Sequence, residues 1–289
     1  LLNTTFAQKV ALTAYVDVST AAVTGLSAII GWQLLGALHN GRQREANQSA
    51  FQIGLLMALL VNLKQSTVAM AVIIIGALLL VGLRDPKVKM YDLISPLTKI
   101  ALPAIIIYLT WRYYVAQELT GGEMQILPYS DWVIEHIPQI LMTMLGILSK
   151  KGAYLFLMLA IICFGIRGLI QCKTSFDRFA IIAAAIFFGH NAFLLLSYVI
   201  VFGKNDALKA ASYWRYNMQL GLVGVAFTVY GVSILWQKHS KQRQWLKNLS
   251  WIPVALIILA PFIFANKLRF DRFQPVSHYR VVAKDLKGL

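Results

Sequence analysis

Ala207-Leu208-Lys209-Ala210-Ala211-Ser212-Tyr213-Trp214-Arg215-Tyr216-Asn217-Met218 joins two long apolar segments, near residues 179–202 and 216–236. Each segment is long enough to cross a hydrocarbon core of about 30 Å as a helix. A helix satisfies its backbone internally, so it is the form such a segment takes in lipid. Arg215 sits among Tyr213, Trp214 and Tyr216, where the second segment begins. An arginine there is costly unless it faces a cavity or an anionic partner. The stretch is therefore a turn between spans and also a candidate site for a phosphorylated lipid.

The rest of the chain repeats the pattern. It is 58% hydrophobic and 13% charged, with a mean hydropathy of +0.64. About eight spans are predicted, near 16–38, 51–63, 66–83, 98–114, 152–170, 179–202, 216–236 and 249–265. Residues 137–148 are apolar but too few to cross, and Pro138 suits the first turn of a helix. That segment is expected to be a short interfacial helix. The fold class is thus all-α, a polytopic helical membrane protein. Residues 1–266 form the transmembrane domain, and 267–289 begin an extracytoplasmic C-terminal segment.

The net charge of +15 suggests nucleic acid only if the chain is soluble. Here Lys and Arg gather in short loops. Arg42, Arg44, Arg84, Lys87, Lys89, Lys173, Arg178, Lys238, Lys241, Arg243 and Lys247 fall on one side of the predicted bundle. That side is expected to be cytoplasmic. The long loop 115–136 on the other side holds Glu118, Glu123, Asp131 and Glu135 and no Lys or Arg. The basic tail after the last span runs against this orientation. Cys163 and Cys172 have no His or carboxylate at metal-ligand spacing and read as filler. No metal site, cofactor motif, Walker loop, Rossmann fingerprint, G-x-S-x-G or H-E-x-x-H is present, and a divalent metal is not readable.

Several costly residues fall on the side opposite the basic loops. Asp17 opens the first span, and Lys64 sits in the tight turn Asn62-Leu63-Lys64-Gln65-Ser66. Arg112 lies in Trp111-Arg112-Tyr113-Tyr114 at the end of the fourth span. With Arg215, Tyr213 and Tyr216 they make a candidate pocket for a lipid phosphate and a polar acceptor. Arginine offers a planar fork of donors there and lysine a point charge. Blander readings stand beside this. Trp111 and Trp214 suit interfacial anchoring, while Lys150, Lys151 and Lys209 suit snorkelling. His190 and Asn191, inside a span, suit either a site or a helix-to-helix hydrogen bond.

The run Leu194 to Tyr216 resembles the late part of bacterial polytopic glycosyltransferases of the C-type fold. It contains Leu194-Leu195-Leu196-Ser197-Tyr198, then Phe202, then Ala211-Ser212-Tyr213-Trp214-Arg215-Tyr216. Ala14-Tyr15-Val16-Asp17, Val61-Asn62-Leu63-Lys64-Gln65 and Trp111-Arg112-Tyr113-Tyr114 resemble further elements of that pattern, in order. Together they cover most of the chain from residue 10 onward. The resemblance implies an enzyme of the cytoplasmic membrane, its active side extracytoplasmic. It would transfer a hexose or pentose from a polyprenyl-phosphate donor to a lipid, glycan or protein acceptor. Lys64 and Arg215 would bind the donor phosphate, with Asp17 as a pocket residue. The family's catalytic carboxylate would precede residue 1, so the catalytic residues are unknown. The chain is expected to be the later part of a longer protein. Two other functions fit the same residues: a transporter or flippase for a lipid-linked or anionic solute, and a non-catalytic membrane scaffold. The expected partners are the sugar lipid and membrane lipids, with no nucleic acid.

Overall fold

The computed structural model describes residues 16–118 and 125–240, together with Trp251 and Ala255. Among the described residues there are ten α-helices and no strand. They are α1 (Asp17–His39), α2 (Gln43–Leu63), α3 (Thr67–Arg84), α4 (Met90–Glu118), α5 (Ile137–Ser149), α6 (Gly152–Gln171), α7 (Ser175–Ile200), α8 (Lys204–Leu208), α9 (Tyr213–Asn217) and α10 (Gly221–Ser240). Eight stretches are long and apolar enough to cross a membrane. The fold is that of an all-α polytopic membrane protein.

Tight turns make the long helices antiparallel neighbours. Gly41 ends the first hairpin at φ 69°, a left-handed conformation that costs glycine little. Lys64, Gln65 and Ser66 form the second turn, and the Thr67 hydroxyl closes it by donating to the carbonyls of Leu60 and Lys64. Cys172, at φ 40°, makes the turn between α6 and α7, and Thr174 and Asp177 form a reciprocal capping box at the start of α7. Two ends of the bundle follow. One holds Asp17, Lys64 and the end of α7. The other holds His39, Asp85 and Arg178.

Several helices exceed the boundaries drawn from hydropathy. α2 begins at Gln43, eight residues ahead of the apolar run. α4 spans 29 residues and carries Pro96 and Pro103 inside it. Prolines are tolerated within a spanning helix when neighbours or local adjustment satisfy the freed backbone groups. The stretch Tyr129–Ser149 has the length and apolarity of a span, yet only its last 13 residues are α-helix. Thirteen residues rise about 20 Å, short of the core. Val133 donates its amide to the Val199 carbonyl (3.2 Å), and Thr143 donates its hydroxyl to the Leu208 carbonyl (3.1 Å). These contacts tie the stretch to the end of α7 and to α8. The predicted span 249–265 and the tail 267–289 lie outside the described residues, apart from Trp251 and Ala255.

Lipid gives helices no hydrophobic reason to associate, so close packing carries the cohesion. Small residues provide it. A Cβ on Gly165 would collide with Ala184, one on Gly168 with the Asp177 carbonyl, and one on Gly54 with the Lys99 carbonyl. Around these approaches Leu34, Leu35, Ile53, Met57, Leu60, Ile74, Leu78, Phe187 and Tyr198 are fully buried.

Candidate functional site

The candidate site is built where α7 gives way to α9. After Ile200 the chain makes the short α8, then bends through Ala210 at φ 44° and Ser212 at φ 60°. Each left-handed non-glycine residue costs roughly 1–2 kcal/mol, and the surroundings hold both. Ala211 donates to the Asp206 carbonyl (3.0 Å) and accepts from the Tyr198 hydroxyl (2.7 Å). Ala207 and Ala210 are buried beneath the bend. The chain then enters α9, a 3-10 turn from Met218 to Leu220, and α10.

This break places Arg215 and Gln219 on either side of Asp17. Gln219 Nε2 donates to Asp17 Oδ1 at 2.6 Å. Arg215 Nε lies 3.6 Å from Asp17 Oδ2, and Arg215 Nη2 donates to the Tyr216 hydroxyl at 3.3 Å. The Asp17 side chain is 6% exposed and that of Arg215 25%. Asp17 is therefore the buried counter-ion of Arg215. The guanidinium lies 5.0 Å from the Tyr216 ring centroid, and the Lys64 ammonium lies 5.9 Å from the same centroid. Two cations thus converge on one tyrosine. No carboxylate lies within ion-pair reach of Lys64 among the described residues.

A cleft runs beside them, lined by Lys64, Ser66, Thr67, His190, Tyr216 and Gln219 at its polar part and by Met70, Phe193, Leu194 and Phe202 at its apolar part. It encloses about 50 Å³, room for a water or two at about 30 Å³ each. A sugar phosphate would have to approach from the open side. His190 is buried and its Nε2 donates to the Tyr216 carbonyl at 3.1 Å, which fixes the tautomer.

The six predicted site residues separate into three groups. Asp17, Lys64, Arg215 and Tyr216 come together as described. Tyr213 turns into the bundle instead, is 2% exposed, and donates its hydroxyl to Asn191 Oδ1 at 2.6 Å. Arg112 is exposed near the end of α4, a helix that packs on α2 and α3. Lys151 lies 5.2 Å from the Trp214 ring centroid, and Trp214 packs edge-on against Tyr154.

Sequence reading missed Gln219, Asn217 and Tyr154. Tyr154 donates to the carbonyl of Asn217 (3.2 Å) and to its side-chain oxygen (3.1 Å), and Asn217 donates back to Tyr213 (3.2 Å). It also missed the cluster at the other end. There Asp85, with no exposed side-chain surface, lies 2.7 Å from His39 Nδ1 and 3.2 Å from Arg178 Nη1. No spacing in the sequence brings residues 39, 85 and 178 together. Among the described residues no group of three metal-ligating side chains occurs.

The architecture and this end-of-bundle pocket define a class, the all-α polytopic membrane proteins. Comparison with known proteins finds no matching family, no matching curated protein and no matching solved structure.

Proposed function

We propose that the protein is a membrane glycosyltransferase-like enzyme using a polyprenyl-phosphate sugar as donor. The observation that supports this reading is the convergence of Lys64 and Arg215 on the Tyr216 ring, with the Asp17 carboxylate beside Arg215. Lys64, with no described carboxylate in ion-pair reach, lines an amphipathic cleft where an anion can bind. A lipid phosphate supplies that anion, and its chain finds Met70, Phe193, Leu194 and Phe202.

In the transfer, the bond between the anomeric carbon and the phosphate oxygen breaks and the phosphate keeps the electron pair. An acceptor hydroxyl bonds to the anomeric carbon and releases its proton to a base. Negative charge grows on the phosphate as the bond breaks, so fixed cations stabilise the transition state more than the ground state. Arg215 and Lys64 take that role. Asp17 holds the Arg215 fork at its edge, and no described residue is assigned as the base.

The test is binding of a polyprenyl-phosphate sugar, and transfer from it, by the purified protein in nanodiscs. A charge-assisted contact is worth about 1.5–3 kcal/mol. Arg215→Ala and Lys64→Ala are each expected to weaken donor binding about tenfold to a hundredfold. Arg215→Lys is expected to be impaired as well, because a point charge does not replace the fork. Unchanged binding in both alanine variants, with folding intact, removes the reading.

A further inference from the structure

The cleft beside Lys64 divides by what its polar groups have left to offer. Four of them have spent their protons on the protein. The Thr67 hydroxyl donates to the carbonyls of Leu60 and Lys64, and the Ser197 hydroxyl donates to the Phe193 carbonyl at 2.8 Å. Gln219 Nε2 donates to Asp17, which fixes the amide and leaves Oε1 as its other end. His190 Nε2 donates to the Tyr216 carbonyl, so in the neutral ring Nδ1 is a bare acceptor.

What these four still present is lone pairs. Neither His190 Nδ1 nor Gln219 Oε1 bonds to a described residue, and neither is sealed from open space. Thr67, His190 and Ser197 are each at most 4% exposed, so the acceptors form the buried wall of the cleft. The donors stand nearer the mouth. Lys64 is exposed there, and Ser66 and Tyr216, both half-buried, keep a hydroxyl proton among the described residues.

A buried acceptor with no donor is costly, so water or a ligand must answer it. The donors at the mouth suit a phosphate. The acceptors on the wall do not, because phosphate oxygens bring lone pairs of their own. They suit O–H groups placed next to the phosphate.

We propose that this cleft takes a neutral polyol esterified to a lipid phosphate. Lys64 meets the phosphate, and His190 Nδ1 and Gln219 Oε1 accept from adjacent hydroxyls. This rests on the reading of the cleft as a lipid-phosphate site and adds the chemistry of the head group. The enclosed space of about 50 Å³ admits one edge of the polyol, with the rest on the open side. An ammonium head would also offer protons, but it would stand beside Lys64. Two sources share the chemistry: a sugar on polyprenyl phosphate, and the glycerol head of phosphatidylglycerol.

The test reads binding to the full chain in detergent by native mass spectrometry, with two matched pairs of lipids. Polyprenyl-phosphoryl glucose is set against polyprenyl methyl phosphate, and phosphatidylglycerol against phosphatidylmethanol. Within a pair the charge is the same and only the hydroxyls differ. Two added hydrogen bonds are expected to favour the polyol about tenfold in at least one pair. His190→Gln, whose amide still donates to the Tyr216 carbonyl, and Gln219→Leu are each expected to cut that preference about threefold or more. The lipid comparison needs no variant, so it decides the matter even where a variant fails to fold. Preference in the polyprenyl pair supports this inference and the donor reading together. Preference for phosphatidylglycerol alone supports the polyol cleft and removes the donor reading. Equal or absent binding within both pairs overturns the inference and leaves the acceptors to water; the phosphate reading then survives only if Lys64→Ala weakens all four lipids. A preference that neither folded variant reduces overturns the assignment to His190 and Gln219. Phosphatidylethanolamine bound more tightly than phosphatidylglycerol overturns it in favour of an amine.

Discussion

Arg215 lies beside the Asp17 carboxylate, donates to the Tyr216 hydroxyl and stands over the Tyr216 ring. Asp17 and an anionic ligand would compete for the same guanidinium. Asp17→Asn is therefore expected to lower thermal stability in detergent by about 1–3 kcal/mol, while tightening the binding of a polyprenyl phosphate. A variant that binds the lipid more weakly would instead make Asp17 a ligand contact. At the opposite end Asp85 is enclosed by His39 and Arg178. Removing one partner of a buried pair strands the other, at a cost of about 3–5 kcal/mol. Asp85→Ala is expected to lose that much in thermal unfolding. The double variant Asp85→Leu with Arg178→Met is expected to lose much less. Cys172 lies against this cluster, and burial, then the Asp85 charge, push its thiol above the ordinary cysteine range. A raised value leaves less thiolate at any given pH, so maleimide labelling at pH 8 should be slower than for a free thiol and should quicken in Asp85→Asn.

At the scale of the helix, fit decides cohesion. Gly54, Gly165 and Gly168 let α2 approach α4, and α6 approach α7, at backbone distance. Gly165→Leu and Gly54→Leu are each expected to cost about 1–3 kcal/mol or more through overpacking. Gly76 has nothing within reach of a Cβ, so Gly76→Ala should be neutral or stabilising by up to about 1 kcal/mol. Thermal unfolding of the three variants in one detergent is the measurement, and equal effects at all three positions would contradict the packing described. The broken helix from Tyr213 to Gly221 depends on satisfaction rather than on fit. His190, Tyr154 and Asn217 bond the backbone around the break, so polar side chains inside spans here serve helix-to-helix hydrogen bonding.

At the scale of the molecule, the turns fix which loops share a side. Lys64 belongs to the end that holds Asp17 and Arg215, and Lys87 to the end that holds Asp85. Single cysteines introduced at these two positions, in a chain with Cys163 and Cys172 replaced by serine, are expected to label with an impermeant reagent from opposite faces of the membrane. Labelling of both from one face would contradict the arrangement of crossings.

Class, helical spans and the clustering of basic loops were legible in the residues, because apolar length and loop charge are one-dimensional properties. Arg215, Lys64 and Asp17 also stood out, since a charge at the edge of hydrocarbon is conspicuous wherever it falls. Their partners did not. Gln219 is an ordinary polar residue until the 3-10 turn sets it beside Asp17, and only packing shows that Tyr213 turns inward while Arg112 is exposed on α4. Nor does spacing reveal that residues 39, 85 and 178 meet. A spanning helix is apolar on most faces, so its sequence marks depth well and direction poorly. Which face meets which neighbour was settled only by packing, through the glycine approaches and buried hydrogen bonds that lipid leaves as the main means of cohesion.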